Sequence, residues 1–482
     1  MTELHKLTLT EAARLLQARE ISAAEMVGAS LARIEATETK VRACLTVIGD
    51  MALDEAKALD RAGPDPARPL WGLPLTVKDL FLTRGLRTTA ASRYLENYIP
   101  AYDARVVERL RQAGAVIVAK TNLDEFAMGS STEFSAFGPT FNPWNPAKVP
   151  GGSSGGAAAS VAAYQVPGAF GTDTGGSIRQ PACLCGCVGL KPTYGRVSRY
   201  GIVAFASSLD QAGPLARRVM DCASLLAAVA GPDERDATTS RRPPEDYAAA
   251  VARPLAGLRL GLPRELWSAV LDPEVRSVLQ AAVRTLEGAG TTLVEISLPN
   301  LRYAVAAYYI VASAEASTNL ARYDGVRYGC RSGGPGGLTD LYVSSRSRSL
   351  GPEVRRRIIL GTFALSSGYY EAYFQKAARV RRLIRDDYAE ALAGCDFLLS
   401  PVSPLPAWDL GSFIDDPVAT YGLDIMTLPV NMAGLPALAF PAGLGPSGGM
   451  PVGLQLIGRP FEEMGLISAG LALEEAFPPL LK

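Results

Sequence analysis

Two glycine–serine turns within residues 151–181, GGSSGGAAASVAAYQVPGAFGTDTGGSIRQP, constrain this chain more than any other feature. Gly151-Gly152-Ser153-Ser154 and Gly175-Gly176-Ser177 let the backbone take φ > 0 and come close to a neighbour or ligand. Each also carries a hydroxyl. A serine attacks a carbonyl only when something removes its proton, and in most serine hydrolases that base is a histidine. The chain has one histidine, His5, near its amino end and far in sequence from both turns. A Ser-His-Asp arrangement does not fit, so a nucleophilic Ser177 needs another base.

Lys78 is the candidate. It closes Leu73-Pro74-Leu75-Thr76-Val77-Lys78-Asp79, an apolar strand-like run. Alternation along a strand sends Lys78 and Asp79 to opposite faces. Asp79 is then a poor partner for Lys78, which can stay unpaired in a dry site. Lysine accepts a proton only when neutral; its ordinary pKa is about 10.4, and burial lowers it by roughly 3–5. A change of three costs about 4 kcal/mol, which a chain of 482 residues can carry. The plainer reading is a surface lysine at a strand end. For the two turns it is a tight loop or a phosphate-binding nest, although no G-x-x-x-x-G-K-[ST] run is present.

Lys+Arg and Asp+Glu each number 48, so the net charge is zero. Such a chain does not by itself grip a polyanion. The basic runs at 355–357 and 376–385 read as solvated helix faces. No uninterrupted apolar stretch of about 18 residues occurs, and Met1–Lys6 has no apolar leader core. These features predict a cytoplasmic protein with no membrane span. Seven cysteines fit reduced thiols. Cys183, Cys185 and Cys187 alternate, which predicts one face of a strand. They read as small buried residues, because no second Cys or His pair completes a zinc site, and no metal is expected.

Thr8-x-x-Glu11 and Ser22-x-x-Glu25 predict two capped helices at the amino end. A helix at 103–113 leads into a strand at 115–119, and one at 273–289 into a strand at 292–296. Further strands are predicted at 258–261, 395–400 and 451–457. Helices alternating with apolar strands predict an α/β sheet covered on both faces. Residues 1–482 read as one domain, with the chemistry at about 70–215 and a helical, arginine-rich candidate insertion at about 240–400.

Lys78, Gly151–Gly156 and Gly171-Thr172-Asp173-Thr174-Gly175-Gly176-Ser177-Ile178-Arg179 together resemble the amidase signature family. The resemblance implies one compact α/β fold with a central mixed, twisted sheet and helices on both faces. It implies that Ser177 is the acyl-forming nucleophile, Ser153 a bridging serine held after a cis peptide bond, and Lys78 the base. It also implies an oxyanion hole of backbone N–H groups around Thr174, Gly175, Gly176 and Ser177. Ser153 would pass the Ser177 proton to Lys78, and N–H groups in a glycine turn form a nest for a developing oxyanion.

Four further stretches narrow the resemblance: Glu125–Glu133; Ala307-Tyr308-Tyr309 with Glu315–Gly325; Arg356–Ser366; and Asp424–Asn431. They resemble one branch of that family, the glutaminase subunits of bacterial tRNA-dependent amidotransferases, and the likeness spans nearly the whole chain. It implies glutamine hydrolysis through an acyl-enzyme, with ammonia passed to Glu-tRNA(Gln) and/or Asp-tRNA(Asn) on a partner subunit. It implies B and C subunits in a heterotrimer, and ATP and Mg on a partner, with no cofactor in this chain. Arg357 matches the arginine for the glutamine α-carboxylate, which a planar guanidinium binds bidentately. Asp424 matches the carboxylate for the α-ammonium, and Tyr308 a tyrosine beside the substrate, with Tyr309 the rival. From the residues alone, Arg357 reads as a surface charge and Asp424 as a helix cap. Phe134 departs from the family's Asn, which puts a polar role for that loop in doubt. A free-standing amidase for small or aryl amides is the alternative activity.

Overall fold

Apolar segments too short to cover both faces by themselves pair edge to edge, and the computed structural model, which describes residues 3–333 and 336–481, gathers them into one sheet. Its strands are β1 Cys44–Val47, β2 Pro74–Lys78, β3 Val116–Thr121, β4 Gly168–Asp173, β5 Val188–Lys191 and β6 Gln211–Ala216. They continue with β7 Arg259–Pro263, β8 Thr292–Ile296, β9 Phe397–Pro401, β10 Ala437–Leu444 and β11 Pro451–Ile457. The order is β1-β3-β2-β4-β6-β5-β10-β11-β9-β7-β8. β3, β2 and β4 run parallel, as do β9, β7 and β8. The central pairs from β4 to β9 are antiparallel. The sheet is therefore mixed, and helices pack on it through one extended apolar core.

Local signals place the elements well. Both amino-terminal capping boxes form: the Thr8 and Ser22 hydroxyls accept from the N–H groups of Glu11 and Glu25. The helices predicted at 103–113 and 273–289 occupy Arg105–Gln112 and Pro273–Gly288. Residues 240–400 supply β7, β8 and β9 at one sheet edge, together with the helices Ala304–Asn319, Pro352–Leu365 and Lys376–Ala393. No helix among the described residues is long and apolar enough to cross a membrane.

One local expectation needs correcting. Cys183 lies in the helix Arg179–Leu184, and Cys185 follows in a turn, so the three cysteines do not share a strand face. The Asp173 carboxylate accepts from the N–H groups of Ile178 and Arg179 and so starts a helix there. Gly186, at φ 73°, then turns the chain into β5. The burial of all three free thiols stands.

Candidate active site

Lys78 ends β2, whose neighbour β4 runs parallel with Thr76 opposite Ala169 and Val77 opposite Phe170. Both carboxyl ends therefore open on the same side, where crevices form in α/β sheets. Thr76 and Lys78, two residues apart, share one face. The helix Gly155–Ala162 lies over that face, with Ser160 Oγ 3.1 Å from Thr76 Oγ1. The turn that opens this helix brings Ser153 and Ser154 onto the lysine. The Gly152–Ser153 peptide bond is cis.

Lys78 Nζ lies 2.8 Å from Ser153 Oγ, 2.9 Å from Ser154 Oγ and 2.9 Å from Thr172 Oγ1. Three hydroxyls surround it, and it has no ion pair among the described residues. Asp79 faces the other way: it pairs with Lys120 Nζ at 2.9 Å and accepts from the N–H and hydroxyl of Thr89. Burial lowers the Lys78 pKa to about 7, against the opposing pull of Asp124, Asp173 and Asp210. A neutral amine has two N–H donors and one lone pair. Ser154 commits its proton to the Thr172 carbonyl at 3.0 Å, so it accepts from Nζ. Ser153 can then direct its proton at the nitrogen lone pair, which is the orientation a relay requires.

Ser177 sits in the second turn. It is 7% exposed, whereas Lys78 and Ser153 are fully buried, so the hydroxyl expected to meet substrate is the one nearest the surface. The Ser154 N–H donates to the Ser177 carbonyl at 3.1 Å, which locks the two turns side by side. Lys78 to Ser153 is the link of the relay that is formed.

A buried ion pair braces this turn. Asp173 and Arg179 are both fully buried, with Arg179 Nε 3.0 Å from Asp173 Oδ2. Arg179 also donates to Gln455 Oε1 at 2.7 Å, Thr427 O at 3.1 Å and Asn431 Oδ1 at 2.5 Å. Burial opposes the Asp173 charge, but Arg179 outweighs it and holds the carboxyl well below the usual range. Asp173 Oδ1 accepts from the Gly176 N–H at 2.8 Å. Gly176 therefore donates to its own loop rather than to a substrate. The N–H groups of Thr174, Gly175 and Ser177 have no protein partner among the described residues and form the nest that remains. Asp210 accepts from Thr174 Oγ1 at 2.8 Å and holds its position. The glycines are required sterically: a Cβ on Gly175 would meet Tyr308 Oη at 2.5 Å, and one on Gly176, at φ 134°, would meet Thr427 Oγ1 at 2.1 Å.

The expected substrate groups reach the same region from distant segments. Tyr308 lies against Gly175, and its ring packs edge-on to Tyr309, with centroids 5.1 Å apart. The Tyr309 hydroxyl donates to Asp424 Oδ2 at 3.0 Å, and Ser130 Oγ donates to the same oxygen at 2.7 Å. Arg357 stands 5.1 Å from the Tyr309 ring and 5.3 Å from that of Tyr421. Its Nε donates to Glu353 Oε1 at 2.7 Å, and Tyr421 donates to that oxygen at 2.8 Å. This leaves the terminal nitrogens of Arg357 for a carboxylate ligand. Burial raises Asp424 to about 6, so it is ionised at neutral pH and can hold an ammonium. Tyr308 lies against Gly175, and Tyr309 stands between Asp424, to which it donates, and the Arg357 guanidinium.

Sequence reasoning missed the supporting residues Asp173, Arg179, Thr427, Glu353, Ser130 and Tyr421. Asp173 and Arg179 had a signal, since both flank the nucleophile turn. The helical period also sorted the arginine run: Arg355 and Arg356 are exposed, while Arg357 joins Val354 and Gly361 on the inner face. At Phe134 the loop contributes its backbone, whose N–H donates to Asp124 Oδ1 at 3.2 Å. No group of three or more His, Cys, Asp or Glu side chains placed to hold a metal occurs among the described residues.

Comparison with known proteins agrees with this geometry. A family described as Amidase matches residues 25–467. The chain is 57% identical over 482 residues to the A subunit of glutamyl-tRNA(Gln) amidotransferase from Nitratidesulfovibrio vulgaris (strain DP4), covering 100% of this chain and 99% of that one. It is 56% identical over 480 residues to the protein of the same name in Anaeromyxobacter dehalogenans (strain 2CP-C), covering 99% and 98%. Among solved structures, the A subunit of glutamyl-tRNA(Gln) amidotransferase from Thermotoga maritima superposes with a TM-score of 0.83 at 42% identity, covering 100% of this chain and 99% of that one.

Proposed function

The chain belongs to the amidase family, and on that premise we propose that it is the glutamine-hydrolysing subunit of a tRNA-dependent amidotransferase. Neutral Lys78 draws the Ser153 proton while Ser153 takes that of Ser177. The freed Ser177 oxygen attacks the side-chain amide carbon of glutamine. The N–H groups of Thr174, Gly175 and Ser177 receive the developing oxyanion. As the C–N bond breaks, the proton returns through Ser153 to the leaving nitrogen and ammonia departs. Water then attacks the Ser177 ester by the same relay and releases glutamate. Arg357 holds the α-carboxylate, Asp424 the α-ammonium, and Tyr308 flanks the reacting group.

On this reading the ammonia passes to an activated aminoacyl-tRNA on a partner B subunit, with a C subunit completing a cytoplasmic heterotrimer. ATP and Mg work there, not in this chain. The acceptor is Glu-tRNA(Gln), and Asp-tRNA(Asn) is a second acceptor if the partner admits it. What carries the reading is a buried lysine ringed by hydroxyls beside an arginine–aspartate pair suited to a free amino acid, in a chain 57% identical over its full length to an amidotransferase subunit.

The test is glutamine hydrolysis by the chain alone and with co-purified partners, ATP and charged tRNA. Weak activity alone and a marked rise in the complex are expected. Strong activity alone, indifferent to partners, would favour a free-standing amidase. So would glutamine turnover that survives Arg357→Ala, since a small or aryl amide has no carboxylate for that guanidinium.

A further inference from the structure

The mechanism above uses Lys78 twice, first as an acceptor and then as a donor. A neutral amine in a dry pocket takes a proton poorly unless something stabilises the ammonium it becomes. Three carboxylates bear on Lys78: Asp124, Asp173 and Asp210. Asp173 is neutralised by Arg179. Asp210 is held by Thr174 Oγ1 and the N–H groups of Phe205 and Ala206, and Arg199 also acts on it.

Asp124 differs from both. It is fully buried, and no ion pair neutralises it among the described residues. Oδ1 accepts from the Phe134 N–H at 3.2 Å, while Oδ2 is buried with no hydrogen-bond partner. That oxygen lies directly beneath the relay turn: a Cβ on Gly152 would fall 2.2 Å from it. The Asp124 N–H in turn donates to the Ser153 carbonyl at 3.3 Å. The residue therefore touches the relay turn through both its backbone and its carboxylate, and Lys78 is the cation that acts on it. The backbone N–H groups of Thr132 and Phe134 favour the Asp124 anion, and the charged groups bearing on it are Lys78 and Glu133.

We propose that Asp124 is a positioning residue whose uncompensated carboxylate stabilises the ammonium that Lys78 becomes on accepting the Ser177 proton. Burial raises the Asp124 carboxyl to about 6, so it is ionised at neutral pH; within the protein the proton moves among Ser177, Ser153 and Lys78 before it reaches the leaving nitrogen. The proposal rests on Lys78 being the base. It follows that Asp124→Asn weakens the base. Lys78 then loses its proton at lower pH, so the rising acid limb of the pH–rate profile moves down, by about one pH unit. The plateau rate falls as well, by up to about tenfold.

The experiment measures Ser177 phosphonylation by a fluorophosphonate probe, in which Oγ displaces fluoride from phosphorus, against pH, read by intact mass, in the assembled complex. It compares the wild type with Asp124→Asn, Asp124→Ser and Lys78→Ala. This readout does not depend on glutamine being the substrate. A lowered midpoint in either Asp124 variant supports the proposal. An unchanged midpoint overturns it, whether or not the rate falls, because a purely structural role lowers the rate at every pH alike. If Asn at 124 does not fold, Ser gives the same comparison. Full phosphonylation of Lys78→Ala would instead sink the base assignment, a distinct failure.

Discussion

Replacing Lys78 by methionine should abolish turnover and yet stabilise the fold. The lysine is fully buried, and its pKa falls from the ordinary 10.5 to about 7. An unfolded lysine binds a proton up to pH 10.5, whereas the folded one releases it above about 7. Folding near neutrality therefore expels a proton, at a cost of about 4 kcal/mol. Methionine has similar length and no charge to desolvate. Against this gain, Ser153 and Thr172 lose the partner of their hydroxyls, about 1 kcal/mol each, while Ser154 keeps the Thr172 carbonyl. The variant should be more stable by about 2 kcal/mol at pH 7. The sign can be followed with pH. The lysine's cost is fully present below pH 7 and fades as pH rises toward 10.5, so the advantage of Lys78→Met should shrink and then reverse. Urea unfolding followed by tryptophan fluorescence at pH 6.5 and pH 10 measures it. A variant that is less stable at pH 6.5 would mean that the folded pocket compensates the ammonium fully. The neutral-base argument would then be wrong.

Three other outcomes are expected. Glu353→Gln should raise KM for glutamine about tenfold with little change in kcat, because Arg357 loses its anchoring charge but not its place; steady-state glutaminase kinetics on the complex check this. Gly176→Ala should cut turnover by at least about tenfold while the chain still folds, since a Cβ at φ 134° meets Thr427 Oγ1; activity paired with a thermal melt separates the two effects. Arg179→Met should cost about 3–5 kcal/mol of stability by leaving Asp173 buried and unpaired. Adding Asp173→Asn should recover part of that loss in a double-mutant cycle on unfolding midpoints.

Where the chemistry depends on local backbone, the sequence was readable. The capping boxes, the apolar strands and the glycine turns are short-range signals, and each acts within a few residues. The opposite facing of Lys78 and Asp79 followed from strand alternation, and the structure pairs Asp79 with Lys120 instead. The cysteine run misled because alternation at three positions looks the same whether the chain is a strand or a helix end. The Asp173 carboxylate, five and six residues before the N–H groups it accepts from, opens a helix there instead. Arg357 read as surface because it stands in an Arg-Arg-Arg run; Glu353, four residues before it, was a local sign of an ion pair, but nothing local reports that Tyr421 will wall it in.

By itself, then, the chain order determined the kind of reaction available: hydroxyls on flexible glycine turns, a lysine at a strand end, and no imidazole nearby. Tertiary structure decided which of those groups can react. It closed Ser153 onto Lys78 and joined Tyr309, Arg357 and Asp424 from three separate segments. The physical reason is that proton affinity and charge pairing depend on what surrounds a group in space. Those surroundings come from residues tens to hundreds of positions away, whose contacts no local pattern encodes.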